Sequence, residues 1–368
     1  MVGFTRLQVS GYRRLRNLDL ALGPMNVLIG ANGAGKSSVL EVVRLLGQSA
    51  QGRLQESLSQ SGGIQAVVAQ DGRTNVIGLG VEIPVSGETP IAYRLELGIA
   101  GFGYQLRTEH LSYQNPPPLS GRSQVLSAAR GNPWSATETV LSQLPVEGKA
   151  KDCRDMLRRC GSIYHALDIS RRAPVRQPQP MQPADTPADD GSLLLACLYN
   201  MRELQRARFD AVEDALRAAF PAFESIALPV VAAGTVTLAW KDRTLTAPLY
   251  PHQLSEGTLR FLWLATLLQS PGLPPVTLID EPEVSLHPEM LRLLVELMRE
   301  ASARTQLIVA THSDRLVRFL TPDELVVCDL AEDGGMAATR GDTLDLDEWL
   351  KDYTLDQLWS MGQIGGRS

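Results

Sequence analysis

Alternating hydrophobic and polar positions dominate the first 110 residues and predict β-strands. Two short runs, Thr5–Ser10 and Leu18–Leu22, predict the first two strands. The apolar run Asn26–Ile29 predicts a fully buried strand, and the periodic segment Ser38–Leu46 behind it predicts a helix. Gly/Pro turns then separate three longer alternating runs, which predict an antiparallel meander: Asn75–Ile83, Ile91–Ile99 and Gly103–His110.

Periodicity is weakest between residues 111 and 190 and becomes helical again behind them. Asn115–Pro118 interrupts the strand pattern, and Ala173–Pro187, with its five prolines, predicts a loop or flexible excursion and not a domain. Four helices and one strand are predicted for this part of the chain: Ser135–Leu144, Ala150–Cys160, Ser192–Leu204 and Phe209–Phe220, and the strand Thr235–Trp240.

Helices and apolar strands alternate from residue 251 onwards. They are, in order, helix Glu256–Leu268, strand Val276–Asp280, helix Pro288–Ala301, strand Gln306–Thr311, helix Asp314–Phe319 and strand Glu324–Asp329. This alternation is typical of a parallel sheet. We therefore expect an α/β protein with a mixed or parallel central sheet. Its predicted parts are an N-terminal lobe (1–110), a helical and irregular insertion (111–250) with the Pro-rich loop 173–187, and a C-terminal lobe with an acidic tail (251–368).

The composition is that of a soluble globular protein, with 44% hydrophobic and 21% charged residues. No apolar run approaches the roughly 18 residues of a membrane span, and Met1–Arg6 begins no apolar signal segment. We therefore expect a cytoplasmic protein without membrane contact. The cysteines form no C-x2-C pair, which argues for free thiols and against structural zinc or disulfides, at Cys153, Cys160, Cys197 and Cys328.

Charge is unevenly distributed, although the net charge is only −6. Lys149–Arg176 contains eight Lys or Arg residues against three Asp, whereas Asp323–Asp356 contains eleven acidic residues against two basic ones. Such an asymmetry can direct a nucleic acid to one end of a protein and a basic partner to the other, but charge runs are more often solvated helix faces. The best candidates for DNA contacts are Arg158, Arg159, Arg171 and Arg172.

The segment Gly30–Ser37 has the pattern G-x4-G-K-[ST] of a phosphate-binding loop and lies between a predicted strand and a predicted helix. Its glycines let backbone N–H groups close around a phosphate, where a Cβ would obstruct the turn. Lys36 would place a positive charge at the β- and γ-phosphates, and the Ser37 hydroxyl would bind Mg²⁺. The predicted nucleotide-binding residues of this loop are Gly30, Asn32, Gly33, Gly35, Lys36, Ser37 and Ser38.

Two acids, Asp280 and Glu281, end the apolar strand Val276–Asp280. A pair of acids at a strand end is weak evidence alone, but here a phosphate-binding loop lies upstream in the chain. Asp280 is then placed for the Mg²⁺ shell, and Glu281 can polarise an attacking water.

Two further positions carry candidate chemistry. Ser255 has N-cap character at the start of a predicted helix, and Gly257 allows the backbone to approach a ligand closely. His312 follows the predicted strand Gln306–Thr311. Taken alone, each of these features is typical of ordinary structure, so their weight depends on their order along the chain.

These motifs occur in the order of ABC-type ATPases, and the chain resembles the group that includes RecF, SMC proteins and OLD-family ATPases, known as AAA-family ATP-binding proteins. Leu254–Arg260 resembles the signature motif, Asp280–Pro288 the strand-end acids with the loop behind them, and Thr311–Asp314 the switch histidine segment. Val9–Leu18 resembles the segment before the phosphate loop. The resemblance implies a P-loop NTPase of ABC-ATPase head type, with an antiparallel β meander and a helical insertion.

The resemblance also implies hydrolysis of ATP, with Mg²⁺, at a head-to-tail homodimer interface that forms with ATP. The residues that would face each other are Lys36, Ser37, Asp280, Glu281 and His312 of one protomer and Ser255 and Gly257 of the other. His312 would contact the γ-phosphate. Work on or near DNA, in genome maintenance or antiviral defence, and a separately encoded nuclease or effector chain are implied in the same way.

Two features of better-known relatives are missing from the sequence. No long heptad segment predicts a coiled-coil arm. Asp345–Asp347 imitates the D-x-D part of a TOPRIM nuclease site, but only 39 residues follow Asp329, too few for a metal domain of roughly 100 residues. We therefore expect any nuclease activity to come from a separate chain. The Q-loop glutamine of the family stays open between Gln55, Gln60 and a weakly preferred Gln65.

Two other functions stay open. The cytoplasmic motor of a membrane transporter would share these motifs, but the long insertion and the departure from L-S-G-G-Q count against it. A nucleotide-gated scaffold with negligible turnover is disfavoured by the presence of both Asp280 and Glu281. ATP turnover with and without DNA, together with the identity of copurifying chains, distinguishes the three functions.

Overall fold

The computed structural model describes residues 3–85, 88–112, 137–143, 145, 147–346 and 348–365. Its strands are β1 (Arg6–Tyr12), β2 (Leu15–Ala21), β3 (Met25–Gly30), β4 (Val76–Val85), β5 (Glu88–Ala100), β6 (Gly103–Ser112), β7 (Ile163–Tyr164), β8 (Gln179–Pro180), β9 (Phe223–Ala227), β10 (Val230–Ala232), β11 (Thr235–Val236), β12 (Ala239–Asp242), β13 (Val276–Asp280), β14 (Gln306–Ala310), β15 (Leu325–Leu330) and β16 (Met336–Arg340). Its α-helices are α1 (Lys36–Ala50), α2 (Leu54–Gln60), α3 (Ile64–Val67), α4 (Val140–Gln143), α5 (Gly148–Arg158), α6 (Leu194–Leu204), α7 (Arg206–Ala219), α8 (Glu256–Gln269), α9 (Pro288–Ser302), α10 (Asp314–Val317) and α11 (Leu355–Ser360).

The central sheet has the strand order β16-β15-β3-β14-β13-β7, in which only β16 is antiparallel to its neighbour. Its inner strands are continuous apolar runs because both faces of the sheet are covered. Val27, Leu28 and Ile29 of β3, for example, are all fully buried. The parallel register places the carboxyl ends of β3, β14, β13 and β7 along one edge.

A second sheet is antiparallel throughout and has the order β2-β1-β4-β5-β6. Ile77, Leu79 and Val81 of β4 are buried, and the positions between them point to the other face. This sheet contains the antiparallel meander that the alternating pattern predicted, and the mixed central sheet was predicted as well.

Two hydrophobic cores lie on opposite faces of the central sheet. Leu28, Leu278 and Ile308 contribute to the core that α1 and the antiparallel sheet complete. Val27 and Ile279, from adjacent positions in the same strands, contribute to the core that contains helices α6, α7, α8 and α9. Because successive strand residues point to opposite faces, each central strand serves both cores.

The core on the side of Val27 and Ile279 crosses both expected boundaries, between residues 110 and 111 and between residues 250 and 251. Leu198 of α6 and Phe209 of α7 share this core with Phe261 of α8 and Leu294 of α9. The division into three parts stays a prediction. Within the described residues, the three predicted parts do not each have a hydrophobic core of their own. Asn115–Pro118 and the two ends of the predicted helix Ser135–Leu144 lie outside the described residues.

The Pro-rich segment Ala173–Pro187 is a loop that packs against its neighbours. It contains a 3-10 turn and β8, which pairs with β11. Gln179 is buried: its amide donates to the carbonyls of Pro174 and Gly191, and its oxygen accepts from the backbone N–H of Leu195. A buried amide that satisfies three backbone groups fixes the path of the chain despite the prolines.

Within the described residues, no helix combines the length and the apolar character that crossing a membrane requires. The four cysteines are free and buried, and burial raises the pKa of each thiol, for Cys197 to about 11. A thiol that stays protonated in this way is a poor nucleophile.

Candidate functional site

Most of the predicted site residues meet at the edge of the central sheet where its parallel strands end. Gly30 ends β3, Asp280 ends β13, and His312 follows β14 by two residues. His165, which sequence analysis did not identify, follows β7 at the same edge. Open α/β sheets bind their ligands outside this edge, because loops from several strands converge there.

The loop from Gly30 to Gly35 joins β3 to α1 and depends on glycine. A Cβ at Gly30 would lie 2.1 Å from the carbonyl oxygen of Cys328 in β15, and the residue has φ of 150°. Gly35 has φ of 116° and directly precedes α1. The first N–H groups of this 15-residue helix have no intrahelical partners and open onto the loop, an arrangement that suits a phosphate.

Lys36 is the first residue of α1 and is buried, with 3% of its surface exposed. Its ammonium donates hydrogen bonds to the carbonyl oxygens of Gly30 at 2.7 Å and Ala31 at 2.9 Å. Burial lowers the pKa of Lys36 because the charged form loses hydration. An anion at this loop would compensate that loss, which suits a contact between Lys36 and phosphate oxygens.

Ser37 and Asp280 present two neighbouring oxygen ligands. Oγ of Ser37 lies 3.4 Å from Oδ1 of Asp280. Among the described residues, no group of three or more His, Cys, Asp and Glu side chains is arranged to hold a metal ion alone. Mg²⁺ at nucleotide sites is bound by one or two protein oxygens together with phosphates and waters, so the pair fits an ion that arrives with its nucleotide.

His165 lies on the other side of Asp280. The parallel pairing of β7 with β13 places Tyr164 opposite Ile279, so that His165 and Asp280 are neighbours. Nδ1 of His165 is 3.3 Å from Oδ2 of Asp280, and this contact raises the pKa of the histidine. The only sequence signal was the apolar pair Ile163–Tyr164, since a two-residue strand is too short to show a period.

Glu281 and His312 lie side by side near Lys36. Nε2 of His312 is 3.7 Å from Oε1 of Glu281, and Nδ1 is 3.2 Å from the ammonium of Lys36. Burial, followed by the charge of Lys36, lowers the pKa of His312, which keeps the imidazole neutral near pH 7. Glu281 has φ of 51°, and its N–H donates to the carbonyl of Ala310 at 2.8 Å. Such a conformation is uncommon outside glycine and concentrates at functional sites.

Ser255 caps the N-terminus of α8, as predicted from the cap pattern, and Gly257 lies in the first turn of the helix. Oγ of Ser255 accepts a hydrogen bond from the N–H of Thr258 at 3.1 Å. Arg176 holds the turn before them, because its guanidinium donates to the carbonyl of Leu254 at 3.2 Å and to that of Pro251 at 2.6 Å. In the described residues, no hydrogen bond joins Ser255 to the phosphate loop.

The remaining predicted loop residues have different environments. Asn32 and Gly33 are exposed, and Ser38 is buried in the first turn of α1. Glutamine side chains make their hydrogen bonds elsewhere: Oε1 of Gln55 accepts from Thr137, and the amides of Gln60 and Gln65 donate to Glu56 and to the carbonyl of Gly101. The preference for Gln65 as a site residue has no support in these contacts.

The predicted DNA-binding arginines fall into two pairs. Nε of Arg158 donates to the carbonyl of Ala50 at 2.9 Å, and Nη2 of Arg159 donates to that of Leu273 at 3.3 Å. These two side chains therefore connect α5 to the rest of the fold. All four side chains are exposed, those of Arg171 and Arg172 as well as those of Arg158 and Arg159.

A known protein family matches the part of the chain that contains this site. A family model described as "AAA domain, putative AbiEii toxin, Type IV TA system" matches residues 25–318. The chain belongs to this AAA family. The matched range contains β3, the phosphate loop, α8, the strand-end acids and His312, whereas the similar segment Val9–Leu18 lies before it.

Curated proteins similar to this AAA-family chain include the DNA replication and repair protein RecF of Enterobacter sp. (strain 638) and of Cronobacter sakazakii. Each is 51% identical over 47 residues, a match that covers 12% of this chain and 13% of the relative. The similarity to RecF is therefore strong but confined to about an eighth of the relatives' length.

Solved structures extend the likeness to nearly the whole chain. An SMC head bound to the C-terminal winged-helix domain of ScpA aligns with a TM-score of 0.58 at 13% identity, over 95% of this chain and 99% of that one. An SMC head with an extended coiled coil, derived from Pyrococcus furiosus and bound to the C-terminal domain of ScpA, aligns with a TM-score of 0.57 at 13% identity, over 95% and 98% of the two chains. These matches establish the fold, so the predicted ABC-ATPase head fold is confirmed.

Proposed function

We propose that this chain is an ATPase that binds ATP with Mg²⁺ at the edge of the central sheet and hydrolyses it. The observation that carries the proposal is the convergence of Lys36, Asp280, Glu281 and His312, which come from three strand ends, around one phosphate-binding loop. Membership of the AAA family supports the use of a nucleotide.

Each side chain has a distinct task in this proposal. Lys36 binds the β- and γ-phosphates, and Ser37 and Asp280 hold Mg²⁺, which neutralises charge on the phosphate oxygens when bound. Glu281 accepts a proton from the attacking water. His312 is neutral and its Nδ1 faces the ammonium of Lys36, so Nε2 carries the proton and can donate it in a hydrogen bond to the γ-phosphate.

Phosphate release by the parent and by Glu281→Gln tests the assignment. The amide cannot accept a proton from water, so we expect kcat to fall about 100-fold while the affinity for ATP changes less than about threefold. Glu289→Gln is a matched control, because Glu289 is an exposed residue of α9. Hydrolysis at the parental rate by Glu281→Gln would show that another group activates the water.

We place Ser255 and Gly257 of a second protomer against the γ-phosphate, which makes the active form an ATP-dependent homodimer. Support comes from the firm attachment of the turn before Ser255 by Arg176 and from the N-terminal N–H groups of α8, which suit an anion. Light scattering on Glu281→Gln should show more dimer with ATP than with ADP. Ser255→Arg should remove this difference, and a dimer indifferent to both would mean that another surface joins the protomers.

The biological setting is a cytoplasmic role on DNA, in genome maintenance or antiviral defence, with a separately encoded nuclease or effector chain as partner. Three similarities support this setting: the RecF relatives are DNA replication and repair proteins, the similar SMC heads are bound to ScpA domains, and the family includes a putative AbiEii toxin. Copurification from native cells, with ATP turnover measured with and without DNA, tests it. A copurifying membrane protein would favour a transporter motor instead, and ATP binding without turnover a scaffold.

A further inference from the structure

Glu283 lies two residues beyond Glu281 and has no task in the mechanism above. The structure places its carboxylate against the segment that carries His312. Oε1 of Glu283 accepts a hydrogen bond from the hydroxyl of Thr311 at 2.6 Å and another from the backbone N–H of His312 at 3.1 Å. The Thr311 hydroxyl in turn accepts from the N–H of Ser313 at 3.0 Å. One carboxylate oxygen therefore fixes the backbone from which the His312 imidazole extends.

The turn that carries Glu283 has a constrained shape. Glu281 and Ser285, on either side of it, have φ of 51° and 62°, in the left-handed region that few residues other than glycine adopt. Hydrogen bonds impose this path: the N–H of Leu286 donates to the carbonyl of Glu283 at 3.0 Å, and that of Glu281 to the carbonyl of Ala310 at 2.8 Å. Contacts to the turn therefore act on a rigid element.

The same turn contacts the start of α8. A Cβ at Gly257 would lie 2.6 Å from the carbonyl oxygen of Ser285, which means that the two backbones touch. One turn further along α8, Nη1 of Arg260 lies 3.5 Å from the carbonyl oxygen of Val284. A continuous series of contacts thus leads from Gly257 through the turn to Glu283, and from Glu283 to His312.

The second carboxylate oxygen of Glu283 lowers the stability of the folded state. Oε2 is buried and has no hydrogen-bond partner in the described part of the chain. A buried carboxylate oxygen without a partner destabilises the folded state, and an apolar side chain would fill the position without that penalty. Packing alone does not explain a carboxylate at this position, whereas the hydrogen bonds to Thr311 and His312 do.

We propose that Glu283 is a positioning residue for ATP hydrolysis, which holds His312 in place and transmits to it any movement of the start of α8. Glu283 does not touch the substrate and acts through Thr311 and His312. The proposal rests on the proposed ATPase function, in which the start of α8 is the contact to the second protomer. In this proposal, the position of His312 depends on the turn that lies between His312 and the start of α8.

Steady-state kinetics of Glu283→Ala and Glu283→Gln provide the first test. We expect the alanine variant to lose about 10- to 100-fold in kcat with KM for ATP nearly unchanged, because Lys36 and the phosphate loop keep the ground-state contacts. The glutamine variant should recover most of the rate, since its carbonyl oxygen can accept both hydrogen bonds. Glu289→Ala, at an exposed position, is the control and should behave as the parent. An equal loss in both Glu283 variants would overturn the proposal.

A double-mutant cycle with Thr311 gives a second, independent test. Thr311→Val removes the donor of the 2.6 Å hydrogen bond, whereas Thr311→Ser keeps it. If Glu283 acts through Thr311, combining Glu283→Met, which removes the acceptor, with Thr311→Val should cost less kcat than the product of the two single losses. Full additivity would overturn the proposal. The cycle remains available if Glu283→Ala fails to fold.

NMR signals of His312 separate this proposal from the ATPase proposal itself. In nucleotide-free protein, the backbone amide and imidazole signals of His312 should shift in Glu283→Ala and Thr311→Val, and stay at their parental positions in Glu289→Ala. If the parent hydrolyses no ATP, the ATPase proposal fails, while a shift would still support the contact from Glu283 to His312. Unchanged His312 signals in both variants would overturn the positioning role, whatever the turnover.

Discussion

The ammonium of Lys36 lies 3.2 Å from Nδ1 of His312, although the two residues are 276 positions apart in the chain. Lys36 begins the helix after β3, and His312 follows β14, the strand that pairs with β3 in parallel. A hydrogen bond from the ammonium to Nδ1 requires the tautomer that carries its proton on Nε2, because an ammonium can only donate. It thereby links the phosphate loop to the residue proposed to contact the γ-phosphate.

Lys36→Ala should weaken ATP binding by about tenfold or more. The variant removes the only charge that the phosphate loop itself contributes, and phosphate recognition at such loops relies on it. Isothermal titration calorimetry with ATP measures the effect. Lys151→Ala is a suitable control, because Lys151 is an exposed residue that pairs with Asp155 on α5. Equal affinities of Lys36→Ala and the parent would remove Lys36 from the binding site.

Arg176→Ala should destabilise the protein and impair ATP-dependent dimerisation together. Its guanidinium donates to the carbonyls of Ile169, Pro251 and Leu254, and losing charged hydrogen bonds to carbonyls costs about 1–3 kcal/mol. The turn before Ser255 loses its anchor as a result. Urea unfolding and light scattering on the Glu281→Gln background measure the two effects. ATP affinity should not change.

Arg171→Ala is the control for this experiment, because Arg171 is exposed on the same segment. It should leave both stability and dimerisation as in the parent. Normal dimerisation by Arg176→Ala would show that the turn before Ser255 keeps its position without the guanidinium, and would contradict the anchoring role.

Replacing Glu283 by glutamine should change the pH dependence of stability. Burial raises the pKa of Glu283 above the ordinary value of 4.5, so the folded state keeps a proton that the unfolded chain has lost. The contribution of Glu283 to stability is therefore present below pH 4.5 and is lost as the pH rises through the folded-state pKa. Glu283→Gln does not ionise, so its free energy of unfolding relative to the parent should increase over this range and then level off. Urea unfolding between pH 4 and 8 measures it, and a difference that is constant with pH would contradict the raised pKa.

The central strands were predictable because their signal is local. Val276–Asp280 has the predicted bounds in the structure, since a short apolar run between turns identifies a strand buried on both faces. Other strands depend on pairing with segments that are distant in the sequence, and these are the strands that the pattern missed or that the structure divides. The predicted strand Thr235–Trp240 is divided because Val236 pairs with β8, whereas Trp240 pairs with β9.

The residues of the candidate site also fall into those that the sequence could predict and those that it could not. Lys36 and Asp280 belong to motifs with fixed spacing, which predicts their chemistry before any fold is known. His165 is next to Asp280 only because a two-residue strand pairs with β13, and the contact from Glu283 to Thr311 depends on the left-handed conformation at Glu281. Neither relationship leaves a pattern along the sequence.

If the chain binds DNA directly, Arg171 and Arg172 should carry part of the contact. All four predicted arginines are exposed, but the guanidiniums of Arg158 and Arg159 donate to backbone carbonyls and hold α5 in place. The double variant Arg171→Glu/Arg172→Glu should lower DNA affinity. It should also reduce the slope of log K against log salt concentration by about 1.8, since each neutralised phosphate contributes about 0.9 on duplex DNA. ATP affinity should be that of the parent.

The control for the DNA experiment must change the net charge equally, because the parent already carries −6 and repels a duplex at long range. Arg206→Glu/Arg292→Glu meets this condition, as both arginines are exposed helix residues with local acidic partners. A loss confined to Arg171→Glu/Arg172→Glu identifies a local contact, whereas equal losses in both variants identify a general charge effect. If neither variant changes binding at several salt concentrations, the segment does not contact DNA, and the proposed role must be exerted through a protein partner.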